Sequence, residues 1–186
     1  MADFIINNDD NVYIPAEDSY LLAENLLIKE GQSVLEIGTG SGIVAMYASR
    51  LTDAITVTDI NFDACELARK NFEANSIEGI EILFGNMFEP VKNRKFDVIL
   101  FNTPYLPTEE GEVIEDNLNY AFDGGLNGRK VIDLFLRYSF SSSSSIRFIF
   151  SFISFLSRLQ ITCLESISAF LIFLFLCWNS AFVKLE

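Results

Sequence analysis

The sequence has no histidine, three cysteines, four prolines and one tryptophan in 186 residues, and half as many basic as acidic residues, 13 against 26. The resulting net charge of −13 argues against an extended polyanion as partner, because such binding rests on clustered Lys and Arg that neutralise phosphates. Duplex DNA is disfavoured on that ground. Cys65, Cys163 and Cys177 are odd in number and lack metal-ligand spacing. Neither a disulfide framework nor a zinc site is indicated, and a reducing compartment fits. The first residues, polar through Asn7-Asn-Asp-Asp-Asn11, lack the basic and apolar regions of a secretory signal, so a cytoplasmic protein is expected. No apolar run reaches the roughly 20 residues of a membrane span. The wholly apolar stretch Ala169 to Trp178 is shorter and runs into Glu165 on one side and Asn179 on the other, so a membrane anchor is not expected.

What is present is arranged around Ser33-Val-Leu-Glu-Ile-Gly-Thr-Gly-Ser-Gly42. A short apolar run ending in Glu36, followed by Gly38, Gly40 and Gly42, predicts a strand turning tightly into a helix over Ile43 to Leu51. The glycines alone serve nucleotides, flavins and bare turns alike. The carboxylates narrow the choice. A second strand, Ala54 to Thr58, ends in Asp59, where an open α/β sheet places an acid on the ribose hydroxyls. Glu36 beside the loop would repel a pyrophosphate and favour a cation; S-adenosylmethionine carries an ammonium and a sulfonium and no phosphate. The plainer alternative is that Glu36 and Asp59 cap the helices that follow them.

Elsewhere, Val12-Tyr-Ile-Pro-Ala-Glu-Asp-Ser-Tyr20 leads into an amphipathic helix through Leu21-Leu22 and Leu26-Leu27, opened by Pro15, with Glu17 and Asp18 in its first turn and stopped by Lys29-Glu-Gly31. Asn61 to Asn75 has helical spacing through Cys65, Ala68 and Phe72, with Asn75 as C-cap. A third strand, Ile80 to Phe84, precedes Gly85-Asn86-Met87-Phe88, and a fourth, Phe96 to Phe101, ends in Asn102-Thr-Pro-Tyr105. Four strands alternating with helices predict an α/β fold with a doubly wound parallel sheet. Gly38 to Gly42, Asp59, Asn86 and Asn102 then share one crevice at the strands' carboxyl ends. Taken alone, Asn102-Thr-Pro-Tyr105 reads better as a turn after a strand, and it is the other three strand ends that favour a site.

The glycine loop with Glu36, Asp59 and Asn102-Thr-Pro-Tyr105 resembles the class I S-adenosylmethionine-dependent methyltransferases with an Asn-Pro-Pro-Tyr signature, which modify planar amino nitrogens. Val12-Tyr-x-Pro-Ala-Glu-Asp-Ser19 and Asp123-Gly-Gly-Leu-Asn-Gly-Arg-Lys-Val-Ile-Asp133 resemble the HemK2-type branch, the archaeal and eukaryotic release-factor glutamine methyltransferases. The resemblance implies a Rossmann-like fold. It puts the methionine part of S-adenosyl-L-methionine near Ser19, Gly38 and Gly40, its ribose on Asp59, and its adenine by Asn86 and Met87. Asn86 stands where the family has Asp, and Thr103 where the signature has Pro. An amide nitrogen is a poor nucleophile, so geometry must carry the catalysis: the Asn102 side-chain oxygen and the Thr103 carbonyl each accept one substrate N–H, Pro104 fixes the turn and Tyr105 packs on the planar group. No metal is needed. The implied substrate is the glutamine of the Gly-Gly-Gln loop of a class I peptide-release factor. An adenine-N6 nucleic-acid methyltransferase would use the same geometry on a flipped base, and a non-catalytic product is the third reading. Relatives in this branch work with a small zinc-binding activator, Trm112, which extends the sheet at the third strand, the expected sheet edge.

The composition changes at the end of this core, taken as residues 1–138. From Ser139 onward there is no Gly, Pro or Asp, while Ser, Phe, Leu and Ile dominate. The tail, 139–186, reads as closing strands of the same domain, with Ile146 to Ser154 a strand, Leu156 to Ser166 a short helix and Ala169 to Phe182 strand material, or as sequence in a shifted reading frame. The shifted frame accounts best for so abrupt a change; a single-base insertion or deletion in the gene near the codons for Arg137 to Ser141 is its test.

Overall fold

In the computed structural model, the residues described are 4–104, 126, 129–142 and 147–150. The chain divides into two units, Met1–Ser151 and Phe152–Glu186, and all described residues belong to the first. In order they form α1 (Glu17–Glu24), β1 (Val34–Ile37), α2 (Ile43–Ala48), β2 (Ile55–Asp59), α3 (Phe62–Ala74), β3 (Glu81–Phe84), a 3₁₀ turn (Glu89–Val91), β4 (Val98–Phe101), α4 (Lys130–Ser142) and β5 (Arg147–Phe150). The strands pair in parallel in the order β3-β2-β1-β4-β5, the doubly wound α/β sheet that the alternation predicts. Among the described residues β3 pairs only with β2, and so forms an edge.

Both faces are covered, which is why every residue of the central strands β1, β2 and β4 is buried, the polar Glu36, Thr56, Thr58 and Asp59 included. Val34, Ile55, Val57, Val98 and Leu100 pack under α1, α2 and α3 through Leu22, Val44, Met46, Ala68 and Phe72. Leu35, Ile37, Ile99 and Phe101 point the other way, onto Phe88, Val91, Phe96 and Phe135 of α4. Phe135 is fully buried between Phe101 and Phe88, with ring centroids at 5.0 and 5.6 Å. Helix α4 passes through position 138/139, where the composition changes, and β5 lies within the expected strand Ile146 to Ser154.

Two helices are shorter than their sequence patterns predict. The first ends at Glu24 because Asn25 turns back on it, accepting no further residue into the helix: its side-chain N–H₂ donates to the Leu21 carbonyl at 2.7 Å and its backbone N–H to Leu22. Leu27 is left outside and exposed. Helix α2 closes after Ala48 in tighter turns, with Arg50 and Leu51 donating three residues back. Helix α3 ends at its expected C-cap, Asn75, and at its start the Asn61 side chain accepts from the Asp63 N–H. Among the described residues no helix is long and apolar enough to cross a membrane; Ala169 to Trp178 lies outside them.

Candidate active site

The register fixes the site. Ile37 is level with Thr58 and with Phe101, and Asp59 with Phe84, so the loops that leave β1, β2, β3 and β4 emerge along one edge of the sheet. Those loops begin with Gly38, Ile60, Gly85 and Asn102. Gly42 lies at φ +82°, and a Cβ there would come within 2.6 Å of the Phe72 ring, so both backbone and space demand glycine. Gly40, at φ +55°, has open space where a Cβ would stand. The loop is tied to β2 by the Thr58 carbonyl, which accepts from the N–H groups of Gly38 (2.8 Å) and Thr39 (3.2 Å). The Thr58 hydroxyl, wholly buried, donates toward the Met87 carbonyl at 3.3 Å. Thr58 thereby joins β2 to the loops that follow β1 and β3, a role that the sequence pattern, which marks it only as a strand residue, did not reveal.

Asp59 ends β2 with one carboxylate oxygen accepting from the Gly40 N–H and the other from the Asn61 N–H, both at 2.9 Å. It organises the glycine loop itself, and each oxygen keeps a lone pair for a ligand. Burial raises its pKa, partly offset by the N–H groups of Asn61, Gly40 and Ile60. Glu36 is 3% exposed and accepts from the Thr39 hydroxyl at 3.0 Å. Burial, aided by repulsion from Asp59, pushes its pKa up to about 8. The negative charge expected at Glu36 is therefore largely absent at neutral pH until a cation compensates for its burial. Neither acid caps the helix that follows it: Gly42 and Asn61 hold those positions.

Asn102, at the end of β4, meets the first turn of α1. Its side-chain N–H₂ donates to the Asp18 carboxylate at 3.3 Å and to the Ser19 hydroxyl at 3.4 Å. Asp18 in turn accepts from the Ser19 N–H (2.8 Å), the Ser19 hydroxyl (3.4 Å) and the Tyr13 hydroxyl (3.1 Å). The Asn102 side-chain oxygen is buried and has no hydrogen-bond partner among the described residues. The sequence pattern made Asp18 an acid of a first helical turn; in the fold it is 8% exposed and faces Asn102. The signal that could have singled it out is Tyr13, which reaches Asp18 from the same short motif.

The structure therefore brings Ser19, Glu36, Gly38, Gly40, Gly42, Asp59 and Asn102 to one edge. Asn86 and Met87 follow β3 there; Asn86 is exposed and its carbonyl accepts from the Glu89 N–H, and Met87 packs against the apolar cluster around Phe88. Thr103 is half-buried and Pro104 buried, while Tyr105 lies outside the described residues, as do 105–125 of the chain. Cys65 is buried, with its thiol pushed up to about 11, chiefly by burial, and is no nucleophile at neutral pH.

Residues 5–122 match the family of the methyltransferase small domain. The chain is 47% identical over 126 residues to a candidate protein N5-glutamine methyltransferase of Methanocaldococcus jannaschii, covering 67% of this chain and 63% of that one. It is 32% identical over 113 residues to the release factor glutamine methyltransferase of Aliivibrio fischeri, covering 58% and 40%. A crystal structure of a methyltransferase from Pyrococcus furiosus shares the fold, with a TM-score of 0.57 over 78% of this chain and 68% of that one at 22% identity. The chain thus spans 63% and 40% of the length of the two relatives matched by sequence. With the glycine loop, Asp59 and Asn102 all inside the matched residues, this chain belongs to the methyltransferase small domain family.

Proposed function

We propose that this chain is an S-adenosyl-L-methionine-dependent methyltransferase that modifies the side-chain amide nitrogen of the glutamine in the Gly-Gly-Gln loop of a class I peptide-release factor. The family implies the cofactor, and the residues present fit it. Open space over Gly40 admits a ligand against the backbone, Asp59 has lone pairs left for ribose hydroxyls, and the buried Glu36 suits a ligand with an ammonium and no phosphate. Bound there, the cofactor supplies an electrophilic methyl on a sulfonium.

The observation that carries the reading is the partnerless oxygen of Asn102. A buried acceptor without a donor costs about 1–3 kcal/mol and calls for a physical explanation, which a ligand that donates to it supplies. A primary amide brings two N–H donors. Asn102 would take one on its side-chain oxygen and Thr103 the other on its backbone carbonyl, which would orient the nitrogen and stabilise the positive charge on it until one of its two protons is lost to solvent. Thr103 in place of proline leaves that carbonyl in use, and Tyr105 packs on the planar amide. The glutamine and release-factor names of the relatives support this substrate over a nucleobase, as does the net charge of −13.

The edge strand β3 is read as the seat of a Trm112-like activator. Its end carries Phe84, 59% exposed and edge-on to the equally exposed Phe62 at 5.9 Å, beside backbone groups that an added strand would pair. Co-expression with such an activator raises soluble yield on this reading; an unchanged yield counts against it. For the activity, purified chain is incubated with methyl-labelled cofactor and either release factor or DNA. Label on the Gly-Gly-Gln glutamine is expected, and label on adenine alone, or on neither, overturns the proposal.

A further inference from the structure

A carboxamide has two nearly isosteric ends with opposite hydrogen-bonding roles, so a catalytic asparagine is useful only if something decides which end faces the substrate. In this chain the answer is on the opposite side of Asn102 from its partnerless oxygen. Asp18 presents a carboxylate oxygen, an acceptor, at 3.3 Å from the Asn102 nitrogen, and Ser19 presents its hydroxyl at 3.4 Å. That hydroxyl has one hydrogen, which points to Asp18 at 3.4 Å and leaves the oxygen to accept from Asn102. Asp18 is fixed in its turn by the Ser19 N–H at 2.8 Å and the Tyr13 hydroxyl at 3.1 Å. Turning the Asn102 amide over would set its oxygen against the Asp18 carboxylate and would aim two N–H donors at the site.

We propose that Asp18, at the start of α1, is the positioning residue that locks the Asn102 carboxamide with its oxygen toward the substrate amide. The proposal rests on the reading of Asn102 as the acceptor for a substrate N–H, and it goes further by giving the Tyr13–Ser19 segment a catalytic purpose. Asp18 touches neither substrate nor methyl; it sets the sign of what Asn102 offers. Burial strengthens the effect, since Asp18 and Ser19 are 8% and 5% exposed and water competes little for these bonds.

The test is Asp18→Asn, which keeps shape and removes the obligatory acceptor, so the two amides can pair in either sense. With release factor as substrate, kcat falls on the order of a hundredfold, as for loss of one preorganised polar contact to the reacting group, while the cofactor dissociation constant and the melting temperature stay near those of the unmodified chain. The exchanged pair Asp18→Asn with Asn102→Asp restores one donor facing one acceptor and again turns an oxygen to the substrate, and it recovers at least tenfold of the loss; a merely structural role for Asp18 predicts no recovery. Asn102→Ala is run beside them. If it is inactive and Asp18→Asn turns over normally, Asp18 is not the lock, though the reading of Asn102 stands. If Asn102→Ala turns over normally, that reading fails and takes the lock with it. A measurement on the unmodified chain is independent of any variant's folding: in asparagine labelled with nitrogen-15, the Asn102 side-chain N–H₂ protons exchange with solvent more slowly than those of exposed asparagines. Equal exchange overturns the proposal.

Discussion

Gly40 and Gly42 share a left-handed backbone yet serve different ends, and the difference is measurable. A methyl at Gly42 meets the Phe72 ring at 2.6 Å and the Ala68 Cβ at 3.2 Å, so Gly42→Ala is expected to cost about 1–3 kcal/mol of stability through overpacking. Gly40→Ala meets nothing and costs only the left-handed strain, about 1 kcal/mol; it should weaken cofactor binding more than it lowers the melting temperature. Calorimetric titration beside thermal melts checks the pair, and equal melting losses would contradict it. Asp59 shows how far a sequence reading of one residue goes. Its place at the end of β2 was legible from strand pattern and spacing, and its service to a ribose remains a proposal. Its second task, accepting from the Gly40 and Asn61 N–H groups, depends on the loop folding back and has no sequence signal. Asp59→Ala should therefore lose stability as well as cofactor affinity, by about 1–3 kcal/mol for each N–H left unsatisfied, and a variant that melts normally would refute the loop-holding role. Asp18 stands in the first turn of α1 as expected, but its contact with Asn102 was missed for a related reason: an acid there has a sufficient local explanation, and its partner is 84 residues away.

Elements were legible wherever local pattern decides them. Alternating strands and helices, and the asparagine that closes α3, stand in the sequence as written and in the fold as observed. Helix ends at Asn25 and Ala48 were not, because the leucines beyond Asn25 and the apolar residues near Leu51 continue a helical rhythm that backbone turns interrupt. The anchoring of the N-terminal segment was also invisible. Asn71, fully buried on α3, accepts from the Asn7 N–H at 2.7 Å and donates to the Ser41 carbonyl at 2.8 Å, linking that segment to the glycine loop. Asn75 repeats the contact one turn on, accepting from the Ile5 N–H at 2.9 Å and donating to its carbonyl at 2.7 Å. Asn71→Ala should destabilise the chain by about 2–3 kcal/mol and speed amide hydrogen exchange at Asn7, which loses its acceptor; unchanged exchange there would mean that the segment is held by other contacts, such as Arg50 over the Phe4 ring.

For the whole molecule the buried acids set the pH response. Between the ordinary value of 4.5 and about 8, Glu36 keeps a proton in the folded chain that the unfolded chain has released. Folding therefore takes up protons in this window, and stability falls as pH rises through it, by up to about 1.4 kcal/mol per pH unit. Asp59, also raised, adds the same sign above 3.8. Glu81, held low mainly by its hydrogen bond from Arg94, and Asp97, held low by Ser33, act oppositely but only below their ordinary values of 4.5 and 3.8. The cofactor-free chain should melt at a lower temperature at pH 8 than at pH 5, and Glu36→Gln should flatten the slope; a flat profile in the unmodified chain would contradict the burial argument. The account as a whole stands on the Asn102 oxygen, buried at the end of β4 and without a hydrogen-bond partner among the described residues. Its most direct test is methyl transfer to release factor by the unmodified chain and by Asn102→Ala, with cofactor binding measured on both. The account predicts one methyl on the Gly-Gly-Gln glutamine from the unmodified chain and none from Asn102→Ala at undiminished cofactor affinity; normal transfer by Asn102→Ala would contradict it.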